Sequence, residues 1–198
     1  MKINDNFFMK LAIDEAWKYQ LLTYPNPAVG CVIVKGNSEI LAIEAHKEAG
    51  MPHAEINAIK EAFLKVSNNS LLKTMTDSHK IHKFMEENHN GYFEDCTFYV
   101  TLEPCNHEDK TPSCAKLLAK LKPKKIVISI KDPNDMASGG IHTLKDAGIE
   151  VVINVLKKEG INLIEPFKQW KNNTFIFFKM AQTLNGSIDG KISSMMSQ

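Results

Sequence analysis

Pro52-His53-Ala54-Glu55, Glu103-Pro104-Cys105 and Thr111-Pro112-Ser113-Cys114 are the fragments from which the fold and chemistry of this chain are read. One histidine and two cysteines hold a zinc ion through one nitrogen and two sulfurs, and leave the fourth tetrahedral position to water. Zinc lowers the pKa of such a water from 15.7 to about 7, so a nucleophile is available at neutral pH. Glu55, two residues beyond the ligand His53, is placed to move the protons. A carboxyl group in that role takes one from the water and delivers it to the atoms that become the leaving group. His53, Cys105 and Cys114 are therefore the expected ligands of one zinc per chain, and Glu55 the expected proton shuttle.

The same order of parts, a His-x-Glu followed by Pro-Cys and a second Cys, is that of the zinc nucleobase deaminases. There the activated water attacks an amidine carbon and ammonia leaves. Here eight residues separate the two cysteines, Asn106 to Ser113, instead of two. That longer polar loop beside the metal points to a particular substrate class.

Outward from these fragments, the chain alternates strand and helix signals. Asp5–Tyr19 carries apolar residues at helical spacing, with Asp5 as the expected N-cap. Tyr24-Pro25-Asn26-Pro27 cannot continue a helix. Ala28–Val34 and Glu39–Ala45 read as a hairpin around the turn Lys35–Ser38. A helix is expected from His53 to Val66. The polar stretch 66–94 reads as an insertion whose middle, Met75–Glu87, forms an exposed helix with His79, His82 and His89 nearby on a solvated surface. Cys96–Leu102 is a strand and Ser113–Leu121 a helix. Lys124–Ile130 is a third core strand. Ser138-Gly139-Gly140 opens a short helix to Ala147, and Ile149–Val155 is a last strand. This alternation predicts an α/β domain with a mixed, largely parallel sheet. Ligands of such sheets gather at the carboxyl ends of the strands.

Composition excludes several classes. The 198 residues are 43% hydrophobic, enough for a core, and the formal charge of +1 gives no footprint for nucleic acid. No segment reads as an export signal or membrane span, so the expected location is cytoplasmic, where Cys31 and Cys96 stay reduced as core residues.

Asn26-Pro27-Ala28-Val29-Gly30, His46, Pro52–Glu55, Thr101–Cys105, Thr111-Pro112-x-Cys114 and Asp132-Pro133-Asn134 together resemble the deaminase domain of the bifunctional riboflavin-biosynthesis deaminase/reductase family. The resemblance runs from about Asp5 to Phe167. It implies a cytidine-deaminase-like, three-layer α/β/α fold. It also implies hydrolysis of the exocyclic amine of 2,5-diamino-6-(ribosylamino)pyrimidin-4-one 5′-phosphate. Asn26, His46, His107, Lys110 and Asn134 match positions that contact substrate in that family, and a cation such as Lys110 suits the substrate phosphate. A homo-oligomer is implied as well. The family carries Gly where Asp109 stands and a second Pro where Ser113 stands.

The expected domain plan is a deaminase domain over 1–155, a linking helix over 156–173 and the start of a reductase domain over 174–198. A complete reductase domain needs roughly 100–200 residues. NADPH is therefore expected only for a longer form of the protein, and no reductase activity for this chain. Two other readings use the same residues. One is a tRNA-adenosine or free-nucleobase deaminase, against which stand the near-neutral charge, the long inter-cysteine loop and Asp132-Pro133-Asn134. The other is a non-catalytic scaffold with structural zinc, against which stands an intact Glu55.

Overall fold

In the computed structural model, residues 4–36, 38–67, 69–107, 111–134, 138–172 and 176 are described. Every residue of strand β3, Cys96–Leu102, is buried, because it is the middle strand of five. A strand covered on both faces reads as an unbroken apolar run. The hairpin β1 (Gly30–Lys35) and β2 (Glu39–Ala45) lies on one side of it, β4 (Lys125–Ile130) and β5 (Glu150–Ile153) on the other, in the order β2-β1-β3-β4-β5. The sheet is mixed. β1 runs antiparallel to both β2 and β3, and parallel pairing is confined to β3-β4 and β4-β5.

Alternate side chains feed two helical layers. Cys31, Ile33, Phe98, Val100, Ile126 and Ile128 face a layer made of α2 (Ala54–Ser67), α3 (Ser70–Thr74), α4 (Ser78–Asn88), α5 (Cys114–Leu121) and α6 (Gly140–Asp146). Val32, Val34, Tyr99 and Val127 face α1 (Asp5–Trp17), through Phe8, Met9, Ala12 and Ile13. On that side α7 (Lys157–Asn172) covers the strand ends, Ile164 packing on Leu102 and Ile130, and Leu163 on Ala16 and Ala28. The expected three-layer α/β/α architecture is present.

Several boundaries differ from the sequence reading, each for a local reason. Asn4, not Asp5, caps α1, its Oδ1 accepting the Phe7 N–H at 3.2 Å. Asp5 instead accepts the Tyr99 hydroxyl at 2.9 Å and the Lys125 ammonium at 2.8 Å, tying α1 to β3 and β4. β1 opens at Gly30 rather than Ala28. A Cβ there would lie 1.9 Å from the Ala12 carbonyl oxygen, so only glycine lets α1 sit this close. β5 stops at Ile153 because Asn154 and Leu156 adopt left-handed backbone, with φ of 69° and 50°.

The largest correction concerns 66–94. That segment is not an exposed addition: Leu72, Ile81, Met85 and Phe93 are fully buried in the main core. Asn69 and Asp77 cap α3 and α4 in turn, through the N–H groups of Leu72 and Lys80. On α4, Ser78, Ile81, His82 and Met85 form the inward stripe at helical spacing. His82 is therefore buried, not part of a solvated face, and neither its Nε2 nor Ser78 Oγ has a hydrogen-bond partner among the described residues.

Burial drives the His82 pKa from 6.5 down to about 4. The folded state thus refuses a proton that the unfolded chain accepts, and stability falls as pH drops from about 6.5 toward 4. One group contributes at most about 1.4 kcal/mol per pH unit. His82→Leu should flatten that acid limb, read by urea unfolding at pH 7 and pH 5. Equal losses in the two proteins would show that His82 is not the group responsible.

Candidate metal and active site

The site lies beyond the carboxyl ends of β3 and β4, where Glu103–Cys105 and Asp132–Asn134 emerge. His53 immediately precedes α2 and its carbonyl accepts the Asn57 N–H at 3.0 Å, so it sits at the helix cap rather than in the first turn. Its Nδ1 is 3.6 Å from Cys105 Sγ and 3.4 Å from Cys114 Sγ. Its Nε2 lies 3.3 Å from Thr111 Oγ1. The Thr111 contact holds Nε2, so Nδ1 is the ring nitrogen that faces the two sulfurs.

Ser113 joins the two halves of the cysteine pair. Its hydroxyl donates to the Cys105 carbonyl at 2.9 Å and accepts the Lys116 N–H at 3.2 Å, capping α5. Cys114 is thereby the first residue of α5, and its backbone N–H points at Cys105 Sγ, 3.4 Å away. The Cys114 thiol, with His53 and that N–H, holds the Cys105 thiol well below its ordinary range. Cys114 is pushed up by the hydrogen bond with Cys105 and by burial. Burial opposes protonation of His53, yet the hydrogen bond and charge of Cys105 outweigh it and raise its pKa. Protons shared among three converging donors are those a metal displaces on binding. The donor atoms lie within 4.8 Å of one another, and a nitrogen with two sulfurs is a zinc donor set. The residues fit the ion.

Glu55, in the first turn of α2, is 4% exposed, and burial raises its carboxyl from 4.5 to about 7, against the pull of His53. His46 is 2% exposed and burial lowers it to about 4, so it is neutral. Its Nδ1–H donates to the Pro52 carbonyl at 3.1 Å, and its Nε2 accepts from Asn26 Nδ2 at 3.2 Å. The His46 and His53 rings meet edge to face, 5.5 Å between centroids.

These groups open on a cavity of about 450 Å³. His53, Glu55, Cys105, Asn26, His46, His107 and Asn134 all line it, while Cys114 is fully buried behind. Lys110 lies outside the described residues, as does the segment read as the start of a reductase domain apart from Ile176. The backbone N–H of Asn134 donates to Asp132 Oδ1 at 2.8 Å, so the Asp132 side chain holds the turn that carries Asn134.

Sequence reasoning missed two things. Glu103, 5% exposed, accepts the N–H groups of Asp132, Gly139 and Ile141 at 3.3, 3.1 and 3.0 Å, which pins the loop after β4 and the start of α6 to the ligand loop. A charged residue closing an apolar strand beside a ligand was the available signal. The second is α7, which contributes Phe167, Trp170 and Lys171 to the cavity wall. No local pattern announces that contact.

Residues 2–130 match the family model of the cytidine and deoxycytidylate deaminase zinc-binding region. The chain is 39% identical over 182 residues to a diaminohydroxyphosphoribosylamino-pyrimidine deaminase of Buchnera aphidicola, covering 91% of this chain and 98% of that protein. It is 35% identical over 187 residues to the riboflavin biosynthesis protein RibD of Aquifex aeolicus, covering 93% of this chain and 45% of the relative. Among solved structures, a Thermotoga maritima diaminohydroxyphosphoribosylaminopyrimidine deaminase/5-amino-6-(5-phosphoribosylamino)uracil reductase superposes with a TM-score of 0.70 at 35% identity. The match covers 91% of this chain and 45% of that one. The chain thus spans less than half the length of these RibD-type relatives and nearly all of the Buchnera protein.

Proposed function

From the premise that the chain belongs to the cytidine and deoxycytidylate deaminase zinc-binding family, and within it to the diaminohydroxyphosphoribosylamino-pyrimidine deaminases, we propose that it hydrolyses the 2-amino group of 2,5-diamino-6-(ribosylamino)pyrimidin-4-one 5′-phosphate. The products are ammonia and the aminouracil phosphate of riboflavin biosynthesis. The observation that carries this reading is the convergence of His53, Cys105 and Cys114 beside a buried Glu55, on a cavity that also holds the Asn26–His46 pair.

His53 Nδ1 and the two sulfurs would hold one zinc per chain. Bound there, zinc supplies Lewis-acid activation of water at neutral pH. Glu55, with a carboxyl that changes protonation near pH 7, takes the proton of the attacking water and returns it to the pyrimidine ring nitrogen. A second proton passes by the same carboxyl to the exocyclic nitrogen as its bond to carbon breaks, and the ring carbon keeps the oxygen. Asn26 spends one N–H on His46, which leaves its Oδ1 as an acceptor for the ligand. His107 and Asn134, from the loops after β3 and β4, complete the contacts to the heterocycle and ribose.

Ammonia release settles the substrate. The diaminopyrimidinone phosphate should be turned over in preference to cytidine, guanine and a tRNA anticodon stem. Turnover of one of those three alone would sink the assignment. Lys110 is assigned to the phosphate. Lys110→Ala should lower the preference for phosphorylated over unphosphorylated substrate by about ten-fold or more, the effect of one charge-assisted hydrogen bond. Zinc content should not change. An unaltered preference would remove Lys110 from the phosphate site.

Among the described residues no helix is long and apolar enough to cross a membrane. A cytoplasmic, homo-oligomeric enzyme is the accompanying proposal, with the assembly to be measured by light scattering. NADPH is assigned only to a longer form of the protein, and not to the site described above.

A further inference from the structure

Among the described residues lining the cavity, Lys171 is the single lysine or arginine. It shares that lining with the carboxyl groups of Glu55, Glu103 and Asp132. It comes from the last turn of α7, just after Pro166. Proline inside a helix has no N–H to give and breaks the ladder there. The residues that follow it, Phe167, Trp170 and Lys171, are the ones that reach the cavity.

Packing fixes this end of the helix. Gln20 Nε2 donates to the Leu163 carbonyl at 2.7 Å, and the Trp170 ring meets Tyr24 edge to face at 4.7 Å. Tyr24 stands two residues from Asn26, so α7 and the turn bearing Asn26 form one wall. The Lys171 backbone is held while its four-carbon stem can still sweep the cavity mouth. Burial raises the Asp132 carboxyl, and Lys171 is among the charges that pull it back, which places the ammonium within electrostatic reach of the cavity.

A dianionic ligand entering among three carboxyl groups is repelled unless a cation meets it. Glu103 is already occupied by three backbone N–H groups and Asp132 by the Asn134 N–H, so neither can turn away. We propose that Lys171 is a second cation for the phosphate end of the ligand, beside the Lys110 assigned above, so that the last turn of α7 adds to the preference for phosphorylated substrates. This rests on the ribosylaminopyrimidine phosphate reading above. A lysine in the last turn also complements the helix dipole. That role alone would not distinguish ligands with and without a phosphate.

The test uses the full chain, loaded with zinc, as wild type, Lys171→Gln and Lys171→Arg. Two measurements are made: the ratio of kcat/KM for phosphorylated over unphosphorylated diaminopyrimidine riboside, and the affinity for ribose 5-phosphate by calorimetry. Lys171→Gln should lower the ratio about ten-fold or more, through KM rather than kcat, and weaken ribose 5-phosphate by a similar factor. Lys171→Arg should restore most of both. An unchanged ratio and unchanged ribose 5-phosphate affinity in Lys171→Gln would overturn the proposal. Absence of any ammonia from the phosphorylated compound in wild type would overturn the substrate reading instead. The calorimetric comparison would still decide whether Lys171 holds a phosphate.

Discussion

Replacing Glu55 by Gln should leave zinc content at the wild-type value and lower kcat by about 10²–10⁴-fold. Glutamine keeps the volume and one oxygen of the side chain but cannot carry a proton between water and leaving group. Glu55 is buried in the first turn of α2, and its carboxyl is raised to about 7 mainly by that burial. A carboxyl with such a value both accepts and donates near neutrality. The comparison is one of ammonia release at saturating substrate, with metal measured on the same sample. A Glu55→Gln protein that turns over near the wild-type rate while holding zinc would mean that another group moves the protons.

Cys105→Ala should remove metal and activity together and lower thermal stability. Three converging donors become two, and the thiolate that His53 and the Cys114 N–H are arranged around is gone. A ligand present at a hundred times its dissociation constant contributes about 2.7 kcal/mol to the folded state. For a chain of this size that is roughly 5–10 °C in Tm. Treating the wild type with a chelator should bring it close to the Cys105→Ala value. Full zinc stoichiometry in Cys105→Ala, measured by elemental analysis, would show that the triad is not the ligand set.

How far the sequence could carry these expectations depended on range. That His53, Cys105 and Cys114 converge beside Glu55 was legible because a metal site demands particular residue types at element ends, and Ser113, where the helix was expected to open, caps α5. The hairpin, β3 and β4 were legible from local apolar runs. α4 was misjudged because its inward stripe is only four residues in a polar stretch, and two of them are Ser78 and His82. Asp5 was given the capping role that Asn4 performs, since either residue suits a cap and only its bonds to Tyr99 and Lys125 decide between them. The contribution of α7 had no local signature at all. It depends on contacts such as Gln20 with Leu163, separated by 143 positions.

The placement of α7 also bears on how this chain can be handled as a module. A cut made where the last strand ends would preserve His53, Glu55, Cys105 and Cys114. It would nevertheless strip away Ile164, the cover over Leu102 and Ile130, and remove one wall of the cavity. Grafting, splitting or fusing this chain should therefore treat α7 as part of the unit that forms the cavity, with any new junction placed after Asn172.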